Sequence, residues 1–286
     1  MRDIACGDYG GFLTIYDIET LKEKFKVAAH KSIINCIDGI GGKGPEYGPS
    51  EICTGSRDGI LKRLCKDLGS KAEYSSIKPR ACRKGCSLSR LLDCMVIWIS
   101  FGNSFNTEER VIAAGYDNGD VKLYDFKQGS LIWDTNLKNG VCGLEFDRRD
   151  IPMNKLVITT LESKFFVFDM QTFHPESGYT GLSELAHKST IWGVKHLPQD
   201  RDIFITQGGN GSINLYKYNY PMKRVIEDDK RLKLGVAGSV TLLNEKNFST
   251  QPIASFDWNH EKSGLGCMSC LDQTCKVIIV TRLNIV

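Results

Sequence analysis

This 286-residue chain has no stretch that could cross a bilayer as a helix. Its longest apolar run, Met95 to Ile99, falls far short of the ~20 residues such a span needs. The N-terminus, Met1-Arg2-Asp3-Ile4, also lacks the apolar core of a signal peptide. Cysteine is sparse: 11 residues in 286 is well under the roughly 8 to 10% that marks a disulfide scaffold. A small secreted knot is excluded, and a cytoplasmic protein with reduced thiols and no membrane association is expected. Three enzyme signatures are missing as well, since no Gly-x-Ser-x-Gly elbow, His-Glu-x-x-His pair or phosphate-binding P-loop occurs. What the chain does have is 41% apolar and 25% charged residues, a balance that buries a core rather than remaining disordered.

A repeated pattern runs through the sequence. A turn residue, usually Asp with Gly beside it, is followed by alternating apolar residues, an aromatic and often Asp. The clearest copies are Asp117-Asn118-Gly119-Asp120-Val121-Lys122-Leu123-Tyr124-Asp125 and Asp8-Tyr9-Gly10-Gly11-Phe12-Leu13-Thr14-Ile15-Tyr16-Asp17; looser copies surround Asp58, Glu162, Asn210 and Asp272. Each reads as a β-hairpin whose second strand alternates with period two. The residues after the six aromatic slots are 17, 65, 125, 169, 217 and 279, at intervals of 48, 60, 44, 48 and 62. These match or exceed the ~40 to 45 residues of a four-stranded propeller blade. The expected fold is all-β, a WD-repeat β-propeller with about six repeats, forming a single domain over 1–286.

Two histidines precede their turns at matching places, in Ala29-His30-Lys31-Ser32 and Ala186-His187-Lys188-Ser189. Each is expected to sit in a buried polar network that ties the start of a blade to the turn between its second and third strands. His30, Asp58, Asp117, His187 and Asp272 are the residues of that structural network.

The strings Thr54-Gly55-Ser56-Arg57-Asp58-Gly59, Ala114-Gly115-Tyr116-Asp117-Asn118-Gly119-Asp120, Asn139-Gly140-Val141-Cys142, Ala186-His187-Lys188-Ser189-Thr190 and Gly235-Val236-Ala237-Gly238-Ser239-Val240 resemble Monad, a WD-repeat family of ciliated eukaryotes counted among the axonemal dynein assembly factors. The resemblance covers residues 1 to about 62 and about 99 to 286. It implies a seven-bladed propeller and a non-enzymatic scaffold. It further implies partnership with RuvB-like ATPase and prefoldin-like cochaperones, and with dynein chains, in cytoplasmic preassembly of ciliary dynein arms. The chain is expected to act as a monomer within that larger complex. The alternative reading is a generic WD-repeat adaptor of a ubiquitin ligase or signalling complex.

Two departures from the family stand out. The family begins upstream of Met1 here, so an N-terminally truncated gene model with an incomplete ring is expected. Residues 63–98 lose the repeat pattern, running through Lys-, Arg- and Ser-rich sequence before it resumes near Phe101. They read as a frameshift or mis-spliced exon, or as a fast-diverging surface loop. Residues 61–90 also hold nine basic and two acidic residues, leaving 28 against 32 elsewhere. The formal charge of +3 therefore belongs to that segment, and no basic face for nucleic acid is expected.

Other candidate chemistry is weak. Gly39-Ile40-Gly41-Gly42-Lys43-Gly44 satisfies G-x-G-x-x-G, but Pro45 and Pro49 follow where a phosphate-binding helix should open, so no cofactor is expected. Cys267 and Cys270 lie three apart on a strand and point to opposite faces, and Cys82, Cys86 and Cys94 lack a histidine partner, so no metal is expected. Glu108, Glu109, Asp147 and Asp150 read as solvated loop residues. The partner-binding face is expected where the histidine loops and Asp turns gather, carried by Ser32, Arg57, Tyr116, Asn139, Thr190 and Trp192; Trp192 fits a strand core equally well.

Overall fold

The computed structural model describes residues 3–40, 50–66, 73–77, 94–105, 108–148, 151–227 and 233–283. No α-helix occurs among the described residues, and no helix is long and apolar enough to cross a membrane. Two compact units divide the chain, Met1–Val141 and Cys142–Val286.

In the first unit, β1 (Asp3–Gly7), β2 (Phe12–Asp17) and β3 (Glu23–Ala28) form a three-stranded meander. The next sheet holds β4 (Ile34–Ile40), β5 (Ser50–Ser56), β6 (Leu61–Lys66) and β7 (Glu73–Ile77). The third holds β8 (Val96–Gly102), β9 (Val111–Tyr116), β10 (Asp120–Asp125) and β11 (Leu131–Asn136). All neighbours are antiparallel.

The second unit opens with β12 (Val141–Phe146), β13 (Lys155–Thr160), β14 (Lys164–His174) and β15 (Gly178–Leu185). It continues with β16 (Ile191–Leu197), β17 (Asp200–Gly208) and β18 (Ser212–Asn219). A small ribbon of β19 (Val225–Glu227) and β20 (Lys233–Gly235) precedes β21 (Ser239–Asn247), which completes that sheet. The last sheet is β22 (Ile253–Trp258), β23 (Leu265–Cys270) and β24 (Cys275–Ile279).

Packing follows from burial on both sheet faces. Every residue of β9 and β13 is buried, because a strand inside a stacked sheet turns neither side to water. Phe101, Ile112, Tyr116, Tyr124 and Phe126 pack with Cys53 and Ile77 of the preceding sheet. Phe165, Phe204 and Tyr216 form an aromatic group between the first two sheets of the second unit.

Six hairpin turns share one conformation. Gly11, Gly59, Gly119, Ser163, Gly211 and Gln273 all have φ between 63° and 87°. In five of them the amide of that residue donates to the carbonyl three residues earlier, the geometry of a type I turn closed by a left-handed residue. Their intervals equal those of the aromatic slots. Glycine serves four of these positions for a further reason, seen at Gly119 and Gly211: a Cβ on Gly119 would meet the Asn139 carbonyl oxygen at 2.7 Å, and one on Gly211 would run into the Ser249 carbonyl. The chain entering the next sheet crosses directly over the turn.

The irregular segment expected over 63–98 is narrower than its sequence suggests. Arg63 continues β6, Glu73–Ile77 is β7, and β8 begins at Val96. Arg63 fits a strand because its guanidinium is anchored, donating to Glu51 Oε1 at 2.9 Å and to the Phe126 carbonyl at 3.1 Å while lying over the Phe126 ring. Gly39 and Ile40 end β4 rather than open a helix, and Gly41 to Gly44 lie outside the described residues, as do Cys82, Cys86 and Asp150.

Candidate functional site

The turn end of each sheet is organised by side chains that reach back from the hairpin to the chain crossing it. In the first unit His30 is buried. Its Nδ1 lies 3.1 Å from Asp58 Oδ2 and its Nε2 2.8 Å from Thr54 Oγ1. Burial pushes the imidazole below its ordinary pKa, outweighing the pull of Asp58. The ring is thus neutral at pH 7, with Nδ1–H donating to the carboxylate and Nε2 accepting from Thr54. Burial alone would raise the Asp58 carboxyl, but the Ile60 amide, the His30 ring and the Lys31 amide together hold it below the usual carboxylate range.

The second unit solves the same problem without a carboxylate. His187 Nδ1 lies 2.9 Å from Ser212 Oγ, and that hydroxyl donates to Asn210 Oδ1 at 2.8 Å. Nε2 is 2.7 Å from Thr206 Oγ1. With no charge nearby to favour the imidazolium, burial lowers its pKa to about 4. In the last sheet the equivalent crossing residue is Ser249, whose hydroxyl donates to Asp272 Oδ2 at 2.8 Å. Asp272 is held well below the usual carboxylate range by Thr274 and Ser249, so its partners are hydroxyls and Lys276 rather than a histidine. Asp117 caps differently again: its Oδ1 accepts from the Met95 amide at 2.8 Å, just before β8.

Tyr116, expected on the partner-binding face, is 2% exposed and packs in the core of the first unit. The reason is a one-residue offset. Aligned on the left-handed residue, Asn118 occupies the place of Asp58, Asp117 that of Arg57, and Tyr116 that of the buried Ser56. A shift of one along a strand moves a side chain to the other face. The same frame identifies the turn tips the sequence reading missed: Tyr9, Leu161 and Leu271 sit where Arg57 does and are 84%, 51% and 61% exposed. Their signal was available in the position of the turn glycine.

Of the other expected surface residues, Arg57 is exposed and Ser32 half-buried, its carbonyl accepting from Ser56 Oγ. Asn139 is half-buried where it crosses Gly119. In the second unit Thr190 Oγ1 donates to the Leu161 carbonyl at 3.1 Å, which sets this loop beside the Leu161 turn. Trp192 is 43% exposed; it stands on the outward side of β16 and not in the strand core.

The opposite strand ends hold buried ions. Asp147, expected in solvent, is 3% exposed. It accepts from Arg201 Nε at 3.0 Å and lies 3.5 Å from the Lys155 ammonium, which also reaches Asp202 at 2.8 Å and the Tyr220 hydroxyl at 2.6 Å. Glu51 is ion-paired with Arg110 and Arg63 in the first unit. Glu108 and Glu109 are exposed. Each buried charge in these networks lies against an opposite charge, as structural ion pairs require. Among the described residues no three His, Cys, Asp or Glu side chains are grouped to hold a metal.

No family model matches the chain, but named proteins do. A human protein named dynein axonemal assembly factor 10 is 51% identical over 284 residues, spanning 99% of this chain and 77% of its own length. Proteins of the same name from Danio rerio and Chlamydomonas reinhardtii are 48% and 45% identical, again over 77% of their lengths. A chain in a crystal structure of the mitotic checkpoint complex superimposes with a TM-score of 0.69, at 12% identity, over 97% of this chain and 71% of its own. That likeness establishes the fold class as a WD-repeat β-propeller. The sequence identities go further: the chain belongs to the dynein axonemal assembly factor 10 family.

Proposed function

We propose that this protein is a non-enzymatic adaptor that works in the cytoplasmic preassembly of axonemal dynein, binding RuvB-like ATPase and prefoldin-like cochaperones together with dynein chains. The observation that carries the reading is the 51% identity to the human assembly factor over 284 residues. The chemistry of the turn ends agrees with it. Their polar side chains are consumed in holding the turns, whereas four of the six tips present a single large residue to solvent, the arrangement of a protein-binding surface rather than a catalytic one. We assign partner contact to Arg57 and Tyr9 in the first unit and to Leu161, Thr190, Trp192 and Leu271 in the second.

Affinity capture from ciliated cells tests the proposal. RuvB-like ATPases and dynein chains should be recovered with the protein, and Trp192→Ala or Arg57→Ala should reduce their recovery without loss of folding. Recovery of a cullin-type set in their place would favour the generic adaptor.

A further inference from the structure

The hairpin of β23 and β24 places two thiols against each other on an exposed face. Cys267 pairs with Val277 in the register and Cys275 with Ser269, so the cysteines are diagonal neighbours on the same side of the sheet. Their sulfur atoms are 3.3 Å apart and both residues are exposed. Cys270 is buried on the other face and does not compete. Diagonal positions, about 7 to 8 Å apart, lie at or just beyond the ~7 Å that a disulfide can bridge without backbone movement. Closing the gap between the sulfurs therefore takes a movement of β24, which its place as the outer strand of its sheet leaves free of a second strand partner among the described residues.

We propose that Cys267 and Cys275 form a reversible dithiol–disulfide pair that reacts with glutathione disulfide. The Cys275 thiolate attacks one sulfur of the glutathione disulfide, forming a mixed disulfide and releasing one glutathione thiolate. Cys267 then loses its proton to solvent and attacks the Cys275 sulfur, releasing the second glutathione thiolate. The protein dithiol is oxidised by two electrons and one glutathione disulfide is reduced to two glutathione molecules. The hydrogen bond to Cys275 holds Cys267 as a thiol, with its pKa raised, which suits it to the second, resolving step. Cys6, exposed on β1, provides an internal comparison as an exposed thiol on a different sheet.

Purified protein equilibrated across glutathione and glutathione disulfide ratios, alkylated and mapped by mass spectrometry, decides the matter. The expected result is a peptide cross-linked between Cys267 and Cys275, losing two hydrogen atoms and carrying no glutathione, and reduced again by excess glutathione. In Cys267→Ser the glutathione should remain on Cys275, because no second thiol is present to displace it. Two results would overturn the proposal: both thiols staying free to alkylate at every ratio, or the wild-type protein accumulating glutathione on Cys275 as the variant does. Cross-linking and adduct mapping are independent of partner capture, so this result stands or falls separately from the adaptor function.

Discussion

His30 and His187 occupy the same place in two units of one chain, yet one is anchored to a carboxylate and the other to a relay of hydroxyls and an amide. Both keep Nε2 on a threonine of the neighbouring strand. The constant part is geometric: a planar donor–acceptor that joins the crossing chain to the strand beneath it. The variable part is electrostatic. Asp58 offers a charge that partly offsets the burial of His30, whereas nothing charged compensates His187 and its pKa falls further, to about 4. A repeat can therefore keep its scaffold and change the charge of its fastening, provided each buried polar atom still has a partner.

This contrast predicts a pH dependence. The His187 pKa is depressed from 6.5 to about 4, so its contribution is complete above pH 6.5 and is lost as pH falls from 6.5 to 4, where the unfolded chain binds the extra proton. The full depression corresponds to about 3 kcal/mol as an upper bound. A melting temperature that stays level across that window would break the assignment. Asn210→Asp should shrink the acid loss by giving the imidazolium a partner; an unchanged pH profile would show that the relay through Ser212 carries no charge coupling.

Asp58→Ala should cost about 2 kcal/mol, measured by denaturant midpoint, because His30 Nδ1 and the Lys31 and Ile60 amides lose their acceptor together. Asp117→Ala removes only the acceptor of the Met95 amide and should cost about 1 kcal/mol. The smallest stability change is expected at the tips. Leu271→Ser and Trp192→Ala should stay within about 0.5 kcal/mol of wild type while lowering partner recovery, and a large loss of stability in either would return that residue to the core.

The repeats were legible because two independent local signals, a left-handed turn residue and, in four of the six copies, an aromatic five positions later, recur together. Tyr116 reads as a tip residue only if Asp117 is matched with Asp58, yet the glycine that directly follows Asp58 stands two residues after Asp117. Charge burial was not legible at all. Asp147 is enclosed by Lys155 and by Arg201, which is 54 residues away in sequence, and Arg63 is accepted into β6 by a carbonyl 63 residues distant. Partners at such separations leave no trace in local composition.

The sequence by itself determined the hairpin chemistry, the spacing of the blades and the family, since each depends on residues within a few positions of one another or on identity along the whole chain. Only the tertiary structure decided which charges are buried, which tip residues face solvent, and that Cys267 and Cys275 meet while Cys270 does not. Those outcomes are set by strand register and by neighbouring sheets. Both are fixed when non-local strands pair and stack, and no stretch of sequence specifies them alone.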